Sequence, residues 1–252
     1  MKISVIVPTN SIKRINEFIN EYDNLNNFYS FANLIIIGNG EVEEENIPIL
    51  PKVHFIRYEK VFNIIPFTEL RGIGMETVNP DFFLFLDDDH RFNENSDIFL
   101  VRCINFLQSH KECGVLQLRK RNIEKNSFYV KRNAHIWTDR GLFIRNINFE
   151  YKKLYQLIGA CEDLLYSYEV LNKSYIPYEV YNAPIERGCT LPNNYKELND
   201  KSYNEKVLDE NIIGYIREKY NEQDWKFYGN LKYLSYPFHL KNLIKSRLSN
   251  LI

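Results

Sequence analysis

The sequence predicts an α/β fold with a mostly parallel central sheet flanked by helices and a helical C-terminal tail. Three apolar runs support this prediction, over residues 3–7, 34–37 and 82–86. Each run is almost wholly apolar, with Ser4 the one polar residue, as expected for a strand that is buried on both faces in a parallel sheet. Segments with helical spacing lie between them, and this strand, helix, strand order is typical of a right-handed, doubly wound sheet.

The first ninety residues are expected to contain most of the parallel sheet. In chain order we predict a strand over 3–7, a helix over 12–25, strands over 34–37 and 53–58, a helix over 69–78 and a strand over 82–86. The first helix places Ile15, Phe18, Ile19 and Tyr22 on one face. Turn signals end the first two strands, at Pro8-Thr9-Asn10 and at Gly38-Asn39-Gly40.

The later part of the chain is expected to complete the sheet with shorter strands. Ser96 is a suitable N-cap for a helix that runs to about His110, because its hydroxyl can accept a free backbone N–H. Short strands follow over 115–119, 128–131 and 141–145, antiparallel or at the edge, then a helix over 160–172 and a strand over 175–181. Residues 184–200 are rich in Pro, Asn and Gly. They are interpreted as a long loop of the kind that forms active-site lids.

Composition narrows the class of protein. The net charge of −1 over 252 residues indicates no nucleic-acid partner. The four cysteines contain no CxxC pair, which favours a reduced, cytoplasmic setting. The N-terminal apolar stretch is too short for a signal peptide, and no segment reaches the roughly 20 apolar residues that a spanning helix needs. We therefore expect a protein that is soluble or peripheral at the inner face of a membrane.

The C-terminal segment differs from the rest of the chain, so we divide the sequence into a domain over 1–200 and a helical extension over 201–252. Five basic residues and no acidic residue lie between Lys226 and Ile252. A basic amphipathic helix can pack on its own domain, on a second subunit in a homo-oligomer, or on an anionic membrane. The sequence leaves these alternatives open.

The most informative motif is Asp87-Asp88-Asp89, which follows the apolar run 82–86 directly. Adjacent carboxylates at the end of a buried strand face water or hold a hard cation. In an extended chain Asp87 and Asp89 point to one side and Asp88 points to the other. Asp87 and Asp89 are therefore the expected metal ligands. His90 is either a further ligand or a solvated neighbour, and histidine matches hard cations poorly.

Five segments in a set order extend this interpretation. They are Ile3 to Thr9, Leu34 to Gly38, Arg71-Gly72-Ile73-Gly74, Phe85 to Asp89, and Cys161-Glu162-Asp163. Together they resemble the GT-A fold glycosyltransferases of the family 2 type, over roughly residues 1–190. The resemblance implies a Rossmann-like sheet and transfer of a sugar from a nucleotide-sugar donor.

The resemblance also implies roles for individual residues. The DxD motif falls on Asp87-Asp88-Asp89, where Mn²⁺ or Mg²⁺ bridges carboxylate and diphosphate, and the catalytic base of the ED pair falls on Asp163. The remaining donor-binding positions fall on Pro8, Thr9, Asn10, Asn39 and Arg71. An alternative role for Asp163 is to cap the start of a helix, which also favours an ionised acid. If Asp163 is a base, the sugar is transferred in a single displacement with inversion.

Other side chains are candidates for the acceptor and for closure over the donor. Trp137 offers an aromatic face to a sugar, and its alternative role is edge packing. Glu162 stands beside the candidate base. Arg187, in the predicted loop, either clamps the diphosphate on closure or forms a surface salt bridge. By analogy the acceptor is a glycan or lipid-linked saccharide, in polysaccharide synthesis.

Two positions depart from the family pattern. Asn39 stands where family members often have an acid that contacts uracil, which weakens the case for a UDP-sugar, although that donor remains favoured. Residues 182–188 lack the histidine that many members use as a further metal ligand. We therefore expect weak metal affinity without the donor.

Two other functions remain open. Paired aspartates at a strand end also serve metal-dependent nucleotidyl or phosphoryl transferases. A glycosyltransferase-like module that acts as an inactive partner subunit is the third reading, and intact Asp87, Asp89 and Asp163 argue against it.

Overall fold

The computed structural model describes residues 1–58, 67–120, 128–132, 140–147, 149, 170 and 173–187. Ten strands lie in this part of the chain. They are β1 (Ile3–Thr9), β2 (Ala32–Gly38), β3 (Val53–Arg57), β4 (Phe82–Phe85), β5 (His90–Phe92), β6 (Cys113–Leu118), β7 (Tyr129–Arg132), β8 (Leu142–Arg145), β9 (Ile176–Tyr181) and β10 (Ile185–Arg187). The helices are α1 (Ile12–Tyr22), α2 (Asn26–Tyr29), α3 (Phe67–Glu76) and α4 (Ser96–Ser109), with a 3-10 turn at Glu44–Asn46.

The central sheet has eight strands in the order β3-β2-β1-β4-β8-β6-β9-β7. Strand pairing is parallel from β3 through β4, and β6 and β9 run in the same direction, whereas β8 and β7 are antiparallel to their neighbours. The mostly parallel sheet predicted from the apolar runs is confirmed. The strands expected to be antiparallel or at the edge include β6, which is internal and pairs antiparallel with β8, as expected, and parallel with β9, which was not expected.

Helices cover both faces of the sheet. On one face α1, α2 and α4 pack on a core that includes Val5, Val7, Leu34 and Leu84. On the other face α3 packs closely against the sheet, because a Cβ atom at Gly74 would lie 2.9 Å from side-chain atoms of Ile6 and Ile37. The glycine therefore lets α3 approach β1 and β2, and this approach positions Arg71.

Strands β5 and β10 form a separate antiparallel ribbon, in which His90 pairs with Arg187. The predicted loop over 184–200 is therefore wrong for Ile185–Arg187, which form a strand because they pair with the segment after the aspartates. The prediction that Ser96 is the N-cap of the following helix was also wrong. Helix α4 begins at Ser96 and Asn95 precedes it as the cap residue. The Ser96 hydroxyl instead donates to Pro184 O at 2.5 Å and accepts from Asn93 N at 2.9 Å.

Some expectations fall on parts of the chain that the structure does not describe. Of the predicted helix over 160–172 only Val170 is described, and it is helical. The extension over 201–252 lies outside the described residues, so the division into 1–200 and 201–252 stays a prediction. Among the described helices, none combines the length and the apolar character needed to span a bilayer.

Candidate functional site

The candidate site lies where several parallel strands end at the same edge of the sheet. Strand β1 ends at Thr9, β2 ends at Gly38, and β4 leads through Leu86 to Asp87. Backbone pairing ties these ends together, since Asn39 N donates to Thr9 O at 2.8 Å. Ligands of open parallel sheets bind outside the carboxyl ends of the strands, which is where the three aspartates emerge.

The aspartates form a tight turn and not an extended segment. His90 N donates to Asp87 O at 3.1 Å, and Asp87 N donates to His90 Nδ1 at 2.7 Å. Asp87 and Asp89 lie close together, as expected. The cause is the turn, however, and not the alternation of side chains along an extended chain. A carboxylate oxygen of each and a ring nitrogen of His90 lie within 4.8 Å of one another.

Asp87 lies between two guanidinium groups. Arg71 Nη2 donates to its Oδ1 at 2.6 Å, and Arg187 Nη2 contacts its Oδ2 at 3.3 Å. Arg71 is buried and stacks over the Phe85 ring at 5.2 Å, whereas the Arg187 side chain is 49% exposed. Burial raises the pKa of Asp87, but nearby positive charge, Arg71 foremost, outweighs it and holds the pKa below the ordinary value. Asp87 is therefore an anion at neutral pH.

Asp88 has a separate set of partners. It is buried and accepts a hydrogen bond from Thr9 Oγ1 at 2.7 Å, with Arg14 Nε at 3.3 Å. Burial raises the pKa of Asp88 to about 6, against the opposing effects of Arg14 and Thr9. Arg14 also donates to the exposed Asn10 Oδ1 at 2.8 Å. Thr9, Asn10 and Asp88 thus form one network around Arg14.

Asp89 and His90 present buried polar atoms next to Asp87. Asp89 Oδ1 and His90 Nε2 are shielded from solvent and have no hydrogen-bond partner among the described residues. An unpartnered carboxylate oxygen beside a second carboxylate fits a hard divalent cation, which binds oxygen ligands. Of the two alternatives for His90, the solvated neighbour was wrong, because His90 is fully buried. Burial is the main cause that lowers the pKa of His90, which favours a neutral ring.

The remaining predicted site residues are placed as follows. Pro8 is buried within β1, which continues through Thr9, and Asn39 is buried beside the end of that strand. The structure brings Arg187 to the aspartates by way of β10. Trp137, Glu162 and Asp163 lie outside the described residues. Arg14 is a site residue that the sequence motifs did not indicate, although its four-residue spacing from Asn10 at the start of a helix is a usable signal.

Sequence comparison gives no match: no protein-family model matches the chain, and no curated protein matches it. Solved structures do match. S. aureus TarS 1-349 shares 15% identity with this chain at a TM-score of 0.51, with 88% of this chain and 73% of that chain covered. The same protein in complex with UDP gives 14% identity and a TM-score of 0.50, covering 84% and 71%.

A third solved structure is the mannosyltransferase PcManGT from Pyrobaculum calidifontis in complex with GDP-Man and Mn²⁺. It shares 10% identity at a TM-score of 0.57, and 86% of this chain covers 64% of that protein. At such identities the likeness concerns the fold. The chain has the GT-A-type, Rossmann-like fold that its sequence predicted, with the aspartate turn at the carboxyl edge of the sheet.

Proposed function

We propose that this protein is a metal-dependent glycosyltransferase that moves a sugar from a nucleotide-diphosphate sugar to an acceptor hydroxyl, with inversion, in glycan or polysaccharide synthesis. One observation supports the proposal most: Asp87 and Asp89 converge at the carboxyl edge of a GT-A-type sheet, directly beside Arg71 and Arg187. Anionic and cationic groups in contact suit a ligand that combines a cation with a diphosphate.

Asp87 and Asp89 would hold the ion, because their oxygens converge and Asp89 Oδ1 lacks a hydrogen-bond partner among the described residues. A bound Mn²⁺ or Mg²⁺ supplies Lewis-acid neutralisation of the leaving diphosphate. Arg187 is half-exposed and can turn from Asp87 to a phosphate oxygen, where a guanidinium forms paired, charge-assisted hydrogen bonds. Arg71 is buried and stays with Asp87, so its role is to keep that carboxylate ionised and oriented.

The same contacts support weak metal binding before the donor arrives. Both oxygens of Asp87 already face a guanidinium, and a divalent cation beside two positive charges is repelled. A diphosphate would remove this repulsion by pairing with Arg187. We therefore assign the ion and the donor to coupled binding.

The other donor contacts are assigned by position. Pro8, Thr9, Asn10 and Asn39 lie at the ends of β1 and β2, where the base and ribose of the donor would lie. Asp88 would act through Thr9 and Arg14, which it holds at this edge. Asp163 is proposed as the base that takes the acceptor proton, with Trp137 and Glu162 on the acceptor side.

Product analysis tests the function. The protein is incubated with UDP- and GDP-sugars, Mn²⁺ and a saccharide acceptor, and the released nucleotide is identified. Release of nucleoside diphosphate with sugar transfer is expected, whereas pyrophosphate release would establish the nucleotidyl transferase alternative. Failure to bind any nucleotide would favour the inactive module.

Matched variants assign the residues. Asp89→Asn is expected to abolish Mn²⁺-dependent turnover, whereas Asp23→Asn, an equal loss of charge at the exposed C-terminal end of α1, leaves it unchanged. Asp163→Asn is expected to lower turnover by about 10²- to 10⁴-fold with donor binding retained, as for loss of a general base. Equal turnover in wild type and Asp163→Asn would remove Asp163 as the base.

Cellular placement is also a proposal. We propose a cytoplasmic protein whose basic tail contacts an anionic membrane surface, and the test is vesicle binding before and after truncation at Tyr233. Absence of binding by the intact protein would end that proposal, and docking of the tail on the domain or on a second subunit would replace it.

A further inference from the structure

His90 closes the aspartate turn with two reciprocal hydrogen bonds. Its backbone N–H donates to Asp87 O at 3.1 Å, and its ring nitrogen Nδ1 accepts from the backbone N–H of Asp87 at 2.7 Å. Both hydrogen bonds therefore join His90, at one end of the turn, to main-chain groups of Asp87 at the other end. A side chain that satisfies a turn in this way restricts the backbone between the two residues, here Asp88 and Asp89.

The direction of the second bond sets the state of the imidazole. A backbone amide can only donate, so Nδ1 must be the unprotonated nitrogen, and in the neutral ring the hydrogen then lies on Nε2. Metal ligation needs a free lone pair on a ring nitrogen. The lone pair of Nδ1 is engaged by Asp87, and Nε2 carries hydrogen, so neither nitrogen is free to bind the ion.

The position of His90 is itself held from several sides. Its side chain is fully buried, and its carbonyl oxygen accepts from Arg91 Nη1 at 2.9 Å. It is also the first residue of β5, where it pairs with Arg187 on β10. The backbone of His90 is therefore anchored in the ribbon, and the ring, through its bond to Asp87, ties the turn to the ribbon as well.

We infer that His90 is a positioning residue that holds the Asp87–Asp89 turn in the shape that presents both carboxylates to a divalent cation, and that it does not ligate the cation. The inference rests on the proposed function for the presence of the cation. It goes beyond that function because it gives His90 a defined tautomer and a defined hydrogen bond. From its position next to two carboxylates alone, His90 would instead be taken for a third metal ligand.

The tautomer is measured on the wild-type protein without metal or nucleotide. A long-range ¹H–¹⁵N correlation spectrum of the histidine rings separates protonated from unprotonated ring nitrogens, and the His90→Asn spectrum assigns the signals of His90. We expect an unprotonated Nδ1 and a protonated Nε2. A ring with hydrogen on Nδ1, or on both nitrogens at neutral pH, would overturn the inference whatever the enzyme does.

Two conservative variants separate positioning from ligation. In His90→Asn the side-chain oxygen stands where Nδ1 stood and can accept from Asp87 N, whereas in His90→Gln the amide reaches toward the place of Nε2. The affinity for Mn²⁺ is measured with and without UDP, from the spectroscopic signal of free Mn²⁺. We expect His90→Asn to stay close to wild type and His90→Gln to lose about 10- to 100-fold, the usual effect of removing a group that orients a metal ligand.

Amide hydrogen exchange at Asp87 supplies a readout that is independent of metal. Protection of this amide is expected in wild type and His90→Asn and is lost in His90→Gln, and thermal unfolding of each variant reports whether the fold is retained. If His90→Gln bound Mn²⁺ more tightly than His90→Asn, His90 would be a ligand. If the two variants bound Mn²⁺ equally well, His90 would have no positioning role.

Failure of the proposed function has its own signature. If wild type binds no Mn²⁺ with either UDP or GDP, the metal site is rejected and the role of His90 toward it falls. The ring spectrum and the protection of Asp87 then still report the bond itself.

Discussion

The three consecutive aspartates have three different environments. Asp87 is paired with Arg71 and Arg187, Asp88 is buried against Thr9 and Arg14, and Asp89 keeps a buried oxygen without a hydrogen-bond partner among the described residues. The side chains are identical, but each leaves the turn toward different neighbours, so they differ in their partners and in their availability to a ligand. Asp87 is held as an anion, because nearby positive charge lowers its pKa, whereas burial raises the pKa of Asp88 to about 6.

Removal of Arg71 is expected to be costly at neutral pH. Arg71→Met leaves Asp87 without its 2.6 Å partner, and loss of one member of a buried ion pair typically costs about 3 kcal/mol or more. The folded-state pKa of Asp87 is below its unfolded value, so this stabilisation is present above the unfolded pKa and is lost as pH falls through the folded one. Urea unfolding at pH 7 and pH 3 should show a cost at pH 7 that shrinks at pH 3.

Arg187→Met is the matched control for this prediction. Its side chain is half-exposed and its contact with Asp87 is longer, so we expect a loss below about 1 kcal/mol, as for surface ion pairs. Equal losses for the two arginines would contradict the assignment of Arg71 as the structural partner. Because Arg187 is assigned to the donor, its variant should lower donor affinity more than stability.

Asp88→Asn is expected to stabilise the protein in alkaline solution. Burial raises the pKa of Asp88 from 3.8 to about 6, so folding favours the protonated acid, and the penalty on the ionised acid grows between these two pH values and is then constant. The amide imitates the protonated acid, so the variant should be more stable by roughly 1–3 kcal/mol at pH 8 and equal to wild type below about pH 4. Thermal unfolding across this range checks it, with Asp23→Asn as control, and a difference that does not change with pH would contradict it.

At the level of elements, α3 shows how close packing positions a side chain. Gly74→Ala would place a methyl group 2.9 Å from Ile6 and Ile37, so α3 must move off the sheet. We expect a loss of about 1–3 kcal/mol, as for overpacked cores, together with a weaker Arg71–Asp87 contact. Glu76→Ala, at an exposed position of the same helix, should change neither. Unfolding free energies and donor affinity provide the measurement, and an unchanged affinity would contradict the link between α3 and the site.

The strands that the sequence predicted are those with a strong local pattern. Strands β1, β2 and β4 contain mostly apolar runs that lead into polar turns, and the aspartates were located by the turn after β4. Arg71 was assigned from the family resemblance. Strands β5 and β10 were missed because three residues contain no measurable period. Their pairing depends on contacts between distant parts of the chain, as the bond from Ser96 to Pro184 also does.

The same limit applies to the site. The convergence of Asp87 and Asp89 was predicted, but from an extended chain, and the turn that produces it depends on a bond to the ring of His90. A side chain that accepts from a backbone amide three residues earlier has no signature in composition or spacing. The burial of His90 likewise follows from the ribbon, which no local pattern indicated.

For the molecule as a whole, ligand binding should appear as stability. A ligand present at 100 times its Kd adds about 2.7 kcal/mol, which is roughly 5–10 °C in Tm for a protein of this size. Because the site joins acids and arginines, Mn²⁺ with UDP or GDP should raise Tm by more than the sum of the two separate shifts. The Asp89→Asn protein should lose this excess and keep any shift due to nucleotide alone. Strictly additive shifts would contradict coupled binding.

The order of strands in the sheet also has a consequence for how the chain is made. Strand β8 lies between β4 and β6, although it follows both in the sequence. While the polypeptide emerges from the ribosome, the wholly buried β4 can pair with β1 on one side only until Leu142–Arg145 appear. An unsatisfied apolar strand edge invites pairing between chains. A fragment that ends at residue 120 should therefore sediment as aggregate on refolding, and the full chain, which closes that edge from within, should remain in solution.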